Sequence, residues 1–298
     1  MILLQEKHTL EGLATKLPRR ELGTLLRFLL LTAVILPVIP NRDFTPFEIN
    51  PFKLWLVVVA VSGVSYISYL MRVWLGEDRG LFLAGLLGGA YSSTVTTVVL
   101  ARQSKGKDDC TAAFTGAIVA ASGMMYLRLW ILLMLFAAPL AQRLTVVFWI
   151  LGLAANTLGA VLTRYGRNEH DCSLEPRESQ RETNPLEMTS AITFAVIFLS
   201  VMIATQWVVG RYGNTGVLVL AAIMGAADVD PFILGLTQTV GAGLALETAA
   251  LAVIIAAAVN NLMKGVYAVA FGSRRTGRLS LALLAAFGAL SVGLFMLF

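Results

Sequence analysis

Nine charge-poor apolar runs divide the chain, near residues 24–40, 53–75, 80–101, 111–136, 144–163, 188–210, 215–242, 245–272 and 279–298. Most approach the roughly 20 residues a helix needs to cross a bilayer, so the pattern predicts an all-α polytopic membrane protein. Two runs break the rule in their middles. The third carries GGAYSSTVTT and the seventh GAADVDP. Backbone that leaves the helix at membrane depth persists only where protein or water satisfies its amides. Both runs are therefore expected to enter and leave on one side, as two re-entrant helical hairpins beside about seven spanning helices.

Charge favours the same topology. If all nine runs crossed, Lys and Arg would divide into about 12 inside and about 9 outside. With two hairpins, the N-terminus, Arg72, Arg79, Arg102, Lys105, Lys107, the 164–181 loop, Arg274, Arg275 and Arg278 share a face. That face collects about 17 basic residues against about 4 opposite. The expected setting is a prokaryotic cytoplasmic membrane, crossed several times, with the N-terminus cytoplasmic. Composition agrees, with 57% hydrophobic residues, 14% charged and a mean hydropathy of +0.76. The net charge of +5 then reports loop orientation, and no nucleic-acid partner is expected. The first 27 residues are charged and amphipathic, without a cleavable signal pattern. Cys110 and Cys172 lack metal-type spacing and read as free thiols in a reducing compartment.

An internal repeat accounts for the two unusual runs. A shift of 136 residues puts GLFLAGLLGGAYSST (80–94) on GVLVLAAIMGAADVD (216–230), so that Gly89 falls on Gly225, and Ser92 and Thr94 on Asp228 and Asp230. The same shift puts Arg128 on Lys264. Each copy has an odd number of crossings, which predicts inverted-topology repeats with a site where the broken segments meet near the midplane. The expected organisation is 1–49, an amphipathic segment and first transmembrane helix; 50–164, repeat one; 165–183, a cytoplasmic linker; and 184–298, repeat two.

The candidate ion-binding residues are Ser92, Ser93, Thr94, Arg128, Asp228, Asp230, Asn261 and Lys264, because ionisable groups at membrane depth tend to face a cavity or a partner. Asp228 and Asp230 offer hard oxygen ligands and are the candidate metal ligands. Asp230, before Pro231, also fits an N-cap with proline at the first helical position. Arg128 and Lys264 read either as residues snorkelling to the surface or as partners for the two aspartates. The hydroxyls read as ion ligands or as helix-to-helix hydrogen bonds. Gly85, Gly88, Gly89 and Gly225 suit close packing, Asn260 the cavity wall, Asn156 and Gln206 interhelical bonds, and Glu247 a charge at the outer mouth. His8 and His170 lie in polar segments, which leaves no membrane histidine for hydrolytic chemistry.

Together, GLLGGAYSSTVTTVVLAR, MYLR, NPLEM, GAADVD and NNLMKGVYAVAFGSRR resemble the membrane domain often fused behind an MgtC/SapB-type domain, over nearly the whole chain from about residue 10. The resemblance implies ion transport, with magnesium as one candidate, and an MgtC-type membrane unit that is either a separate partner chain or dispensable. The leading expectation is an ion transporter or channel for a cation: Mg²⁺, another divalent metal, or a proton-coupled ion. A small-anion transporter using Arg128 and Lys264 is one alternative, and a regulatory partner of an MgtC-type ion-homeostasis protein another. No enzymatic activity and no resident cofactor are expected. The other expected partners are the lipid bilayer, the transported ion and a second copy in a homodimer.

Overall fold

The apolar runs become helices with nearly the expected bounds. In chain order they are α1 (Arg19–Val38), α2 (Pro51–Leu75), α3 (Leu81–Gln103), α4 (Thr111–Phe136), α5 (Ala138–Arg167), α6 (Met188–Ala227), α7 (Val229–Thr239), α8 (Leu246–Phe271) and α9 (Arg274–Leu297). The computed structural model describes residues 19–42, 50–75, 80–167, 172, 188–239 and 244–298. The N-terminal amphipathic stretch, both histidines, Arg79 and most of the linker lie outside them. Among the described residues, seven helices are long and apolar enough to cross a membrane. Membership differs from expectation in one respect: α1 is not among the seven, whereas α3 is, by length.

Length alone misdescribes α3, because its backbone leaves the helix at Ser92 (φ −155°, ψ 103°). A Cβ on Gly88 would meet the side chain of Thr96. Eight residues of straight helix span about 12 Å, so the two halves of α3 fold back on each other. Leu81 and Ala101, near its two ends, accordingly share one apolar cluster with Ala113 and Phe114 at the start of α4.

A second reversal occupies α6 and α7. α6 turns at Gly213, whose φ of +59° and ψ of −149° suit a residue without Cβ. Its second limb then runs along α8, with Gly225 against the Ala256 backbone. The helix is interrupted again at Asp228. Beyond it α7 follows α4 toward Phe136: Asp230 meets Arg128, and Leu234 shares a cluster with Leu132.

These segments reach the middle from opposite ends of the molecule. α4 and α8 lie side by side and antiparallel, with Lys264 beside Ser122 and Asn261 beside Tyr126. At one end the Ser273 N–H donates to Ser104 Oγ (3.1 Å), next to both ends of α3. At the other end Arg143 pairs with Glu247, near where α7 finishes and α8 begins. Glycine permits the approaches. Gly85 and Gly89 sit on the Ala117 and Ala121 backbone, as Gly225 sits on Ala256, leaving no room for a Cβ.

The helix bounds recur at the interval seen in the sequence. Adding 136 carries α2 to 187–211, the first limb of α6; α3 to 217–239, ending with α7; α4 to 247–272, against α8; and the start of α5 to the start of α9. It carries the break at Ser92 onto the break at Asp228.

One expectation is corrected. Cys110 and Cys172 are joined in a disulfide and are not free thiols. α5 brings Gly166 back against Ala113, at the start of α4. The chain six residues later therefore stands over Cys110.

Candidate functional site

Two interrupted helices meet at one small cavity. Its wall contains Gly89, Ser92, Ser93 and Thr94 from the α3 tip, Asp228, Val229 and Asp230 from the α6–α7 tip, and Met125, Arg128 and Asn260 from α4 and α8. The cavity measures about 40 Å³. A buried water needs roughly 10–15 Å³ on the same measure, so the space suits a few waters or a small ion and no larger solute.

Arg128 organises the wall. One guanidinium nitrogen lies 2.7 Å from Asp230 Oδ2 and 3.3 Å from Ser65 Oγ, to which it donates. The other donates to the Tyr91 carbonyl at 2.7 Å. That carbonyl immediately precedes the Ser92 break, so the guanidinium fills a need left by the interrupted helix and neutralises the opposing tip. The side chains of Arg128 and Asp230 are only 13% and 16% exposed, so this pair is largely shielded from the screening that weakens surface ion pairs.

The acidic tip is arranged differently from expectation. α7 starts at Val229, so Asp228 holds the N-cap position: its Oδ1 accepts the Asp230 N–H at 3.3 Å. Asp230, expected as the cap, lies two residues further in, and its carboxylate goes to Arg128 instead. Asp228 is exposed toward the cavity and forms no ion pair among the described residues. In the opposing tip, Ser92 Oγ accepts from the Val95 N–H (3.4 Å) and Thr97 Oγ1 donates to the Ser93 carbonyl (2.8 Å).

Lys264 does not pair with an aspartate. It is fully buried, and its ammonium donates to Ser122 Oγ (3.1 Å), Met125 Sδ (3.0 Å) and Asn261 Oδ1 (3.2 Å). Asn261 in turn donates to Tyr126 Oη at 2.7 Å. Lys264 and Asn261 thus form a polar seam between α4 and α8, separated from the cavity by Met125. Neither residue lines the cavity.

The residue that sequence reasoning placed only in the wall, Asn260, matters more than its neighbour. It is 4% exposed, and its Nδ2 donates to the Gly225 carbonyl at 3.1 Å. That bond fixes the amide orientation, because only nitrogen can donate to a carbonyl. Its Oδ1 is left buried without a partner, as is Arg128 Nε. Elsewhere, Asn156 donates to the Gly152 carbonyl of its own helix (2.8 Å) and to Met124 Sδ on α4 (4.0 Å), and Glu247 holds Arg143 through two bonds of 2.9 and 3.1 Å. Among the described residues no group of three or more His, Cys, Asp or Glu side chains is placed to hold a metal ion.

Comparison with known proteins gives a family. An uncharacterized protein of Aquifex aeolicus (strain VF5) is 26% identical over 198 residues, covering 65% of this chain and 84% of that protein. No solved structure matches the chain. The model of one family matches residues 59–272, a span that holds both helix breaks, Arg128, Asn260 and Lys264. The chain belongs to that family, described as a domain of unknown function, DUF4010.

Proposed function

We propose that this protein is a membrane transporter or channel for a small ion, with its site where the Ser92 and Asp228 tips meet. α3 and the α6–α7 segment are the re-entrant elements of two inverted-topology repeats. The basic bias of its loops favours the cytoplasmic side for the end that carries Lys105, Ser273 and Arg274, while the Cys110–Cys172 disulfide at that end favours an oxidising one. The single observation that carries the proposal is the convergence of two broken segments from opposite ends on one polar cavity of about 40 Å³.

Physical reasoning supports a solute there. Interrupting a helix in an apolar bundle exposes amides and carbonyls, and an interruption is tolerated where those groups line a cavity. Broken segments meeting between inverted repeats form the midplane sites of secondary transporters. The volume favours a small ion over an organic solute. The reading assigns no chemical reaction.

The test is a flux screen in liposomes reconstituted with the purified protein, across Na⁺, K⁺, Mg²⁺, protons, chloride and phosphate. Flux of one of these above protein-free vesicles, lost in Asp228→Asn, is the expected result. A folded, inserted protein that passes none of them overturns the proposal.

A further inference from the structure

We infer that the cavity between the tips is a binding site for a single monovalent alkali cation, with Asp228 its charged ligand and Asn260 Oδ1 a neutral one. The inference rests on the reading of this cavity as the ion site and adds the sign, charge and ligands of the ion.

The sign follows from which polar atoms already have partners. The side-chain donors are largely committed: Lys264 spends its ammonium on Ser122, Met125 and Asn261, and the two terminal nitrogens of Arg128 go to Asp230, Tyr91 and Ser65. Only Arg128 Nε lacks an acceptor. The acceptors are available. Asp228 uses one oxygen in a 3.3 Å capping bond and forms no ion pair among the described residues, while Asn260 Oδ1 is buried without a donor among them. An orphaned buried acceptor is costly and rare in folded proteins. The residue that carries it shares the cavity wall with Asp228. A cation between them satisfies both, whereas an anion would meet two more negative or lone-pair surfaces.

Charge and size select a monovalent ion. The cavity wall carries Asp228, Asp230 and Arg128, and the last two neutralise each other, leaving one negative charge. Mg²⁺ demands near-octahedral oxygens and dehydrates reluctantly, and a full shell of waters exceeds the few that the cavity holds. Alkali cations accept mixed carboxylate, amide and hydroxyl oxygens, and Ser92, Ser93 and Thr94 supply hydroxyls on the opposite side of the same cavity.

Equilibrium dialysis of the full chain in detergent against radiolabelled Na⁺, with K⁺, Mg²⁺ and chloride as competitors, tests the site. The expected result is saturable binding of one Na⁺ per chain, displaced by K⁺ and not by equimolar Mg²⁺, and weakened at least about tenfold in Asp228→Asn. Asparagine caps a helix as well as aspartate does, so this variant keeps the fold and removes only the charge. Asn260→Leu, checked for folding by its melting curve, is expected to weaken binding similarly. Absence of alkali binding, displacement by Mg²⁺ at the same stoichiometry, or affinity unchanged in Asp228→Asn overturns the inference. Ion flux in liposomes without alkali binding overturns this inference and leaves the transport reading intact; alkali binding without any flux does the reverse.

Discussion

Arg128 holds Asp230 at 2.7 Å through one nitrogen and the carbonyl of Tyr91 at 2.7 Å through another, so a single side chain on α4 clamps the tips of both interrupted segments. Removing it strands a largely buried carboxylate and a carbonyl at once. Arg128→Met is therefore expected to cost about 3–5 kcal/mol, the usual penalty for breaking a buried ion pair from one side. Adding Asp230→Asn to that variant should recover part of the loss. Thermal melting of the purified single and double variants measures both, and additivity of the two changes would contradict the coupling.

Lys264 predicts the opposite behaviour despite deeper burial. Its partners are neutral, so its removal leaves no charge stranded among them. Replacing a buried charged group by an apolar one of similar volume is often neutral or stabilising. Lys264→Met is expected to melt within about 1 kcal/mol of the parent protein. A loss as large as that of Arg128→Met would show that Lys264 neutralises Asp230 at longer range.

The glycine contacts predict a matched pair of lesions. Gly89→Val and Gly225→Val each drive a side chain into backbone, of Ala121 and Ala256 respectively. Each should cost about 1–3 kcal/mol or more, as overpacking does. Gly63→Ala, where nothing lies within 4 Å of the added atom, is the neutral control. Melting temperatures of the three variants decide.

The disulfide predicts a chemical signature. Denatured but unreduced protein should take up no maleimide, and reduced protein two per chain, because Cys110 and Cys172 are the two cysteines and are bonded to each other. A loop of 62 residues corresponds to a stabilisation of about 4 kcal/mol in the chain-entropy account. Cys172→Ser should lower the melting temperature accordingly.

Topology is checked by side-specific labelling in the Cys110→Ser/Cys172→Ser background. Lys105→Cys and Arg274→Cys, both exposed near the Ser104–Ser273 contact, are expected to label from one side of the membrane, and Arg211→Cys from the other. Labelling of Lys105→Cys and Arg274→Cys from opposite sides would refute the α6–α7 hairpin.

Much of this arrangement was legible in the sequence because membrane helices advertise themselves by the absence of charge. The bounds of α4 and α8 emerged almost to the residue for that reason, and the polar interruptions at Ser92 and Asp228 emerged as exceptions to it. The matched positions of Arg128 and Lys264 marked one true partner for the aspartates. They misled about the other, since a linear offset says nothing of which way a side chain turns. Asn260 and Asn261 show the limit most clearly. Adjacent helical residues differ by about 100° in direction, so the pair NN cannot reveal which amide faces the cavity until the rotation of α8 is known. Asp228 and Asp230 exchanged roles because helix starts are read from sequence only to within a residue or two. The Cys110–Cys172 bond had no sequence signature, because it depends on where α5 returns the chain.

The seam of Lys264, Asn261, Tyr126 and Ser122 constrains how such a molecule moves. Prying α4 from α8 at mid-height strips an ammonium of its two acceptors on α4, Ser122 Oγ and Met125 Sδ, in an apolar surround, whereas sliding either tip past the pair leaves that hydrogen-bonded rivet untouched. The halves are thus fastened at their shared waist, and the compliant parts are the short limbs beside it.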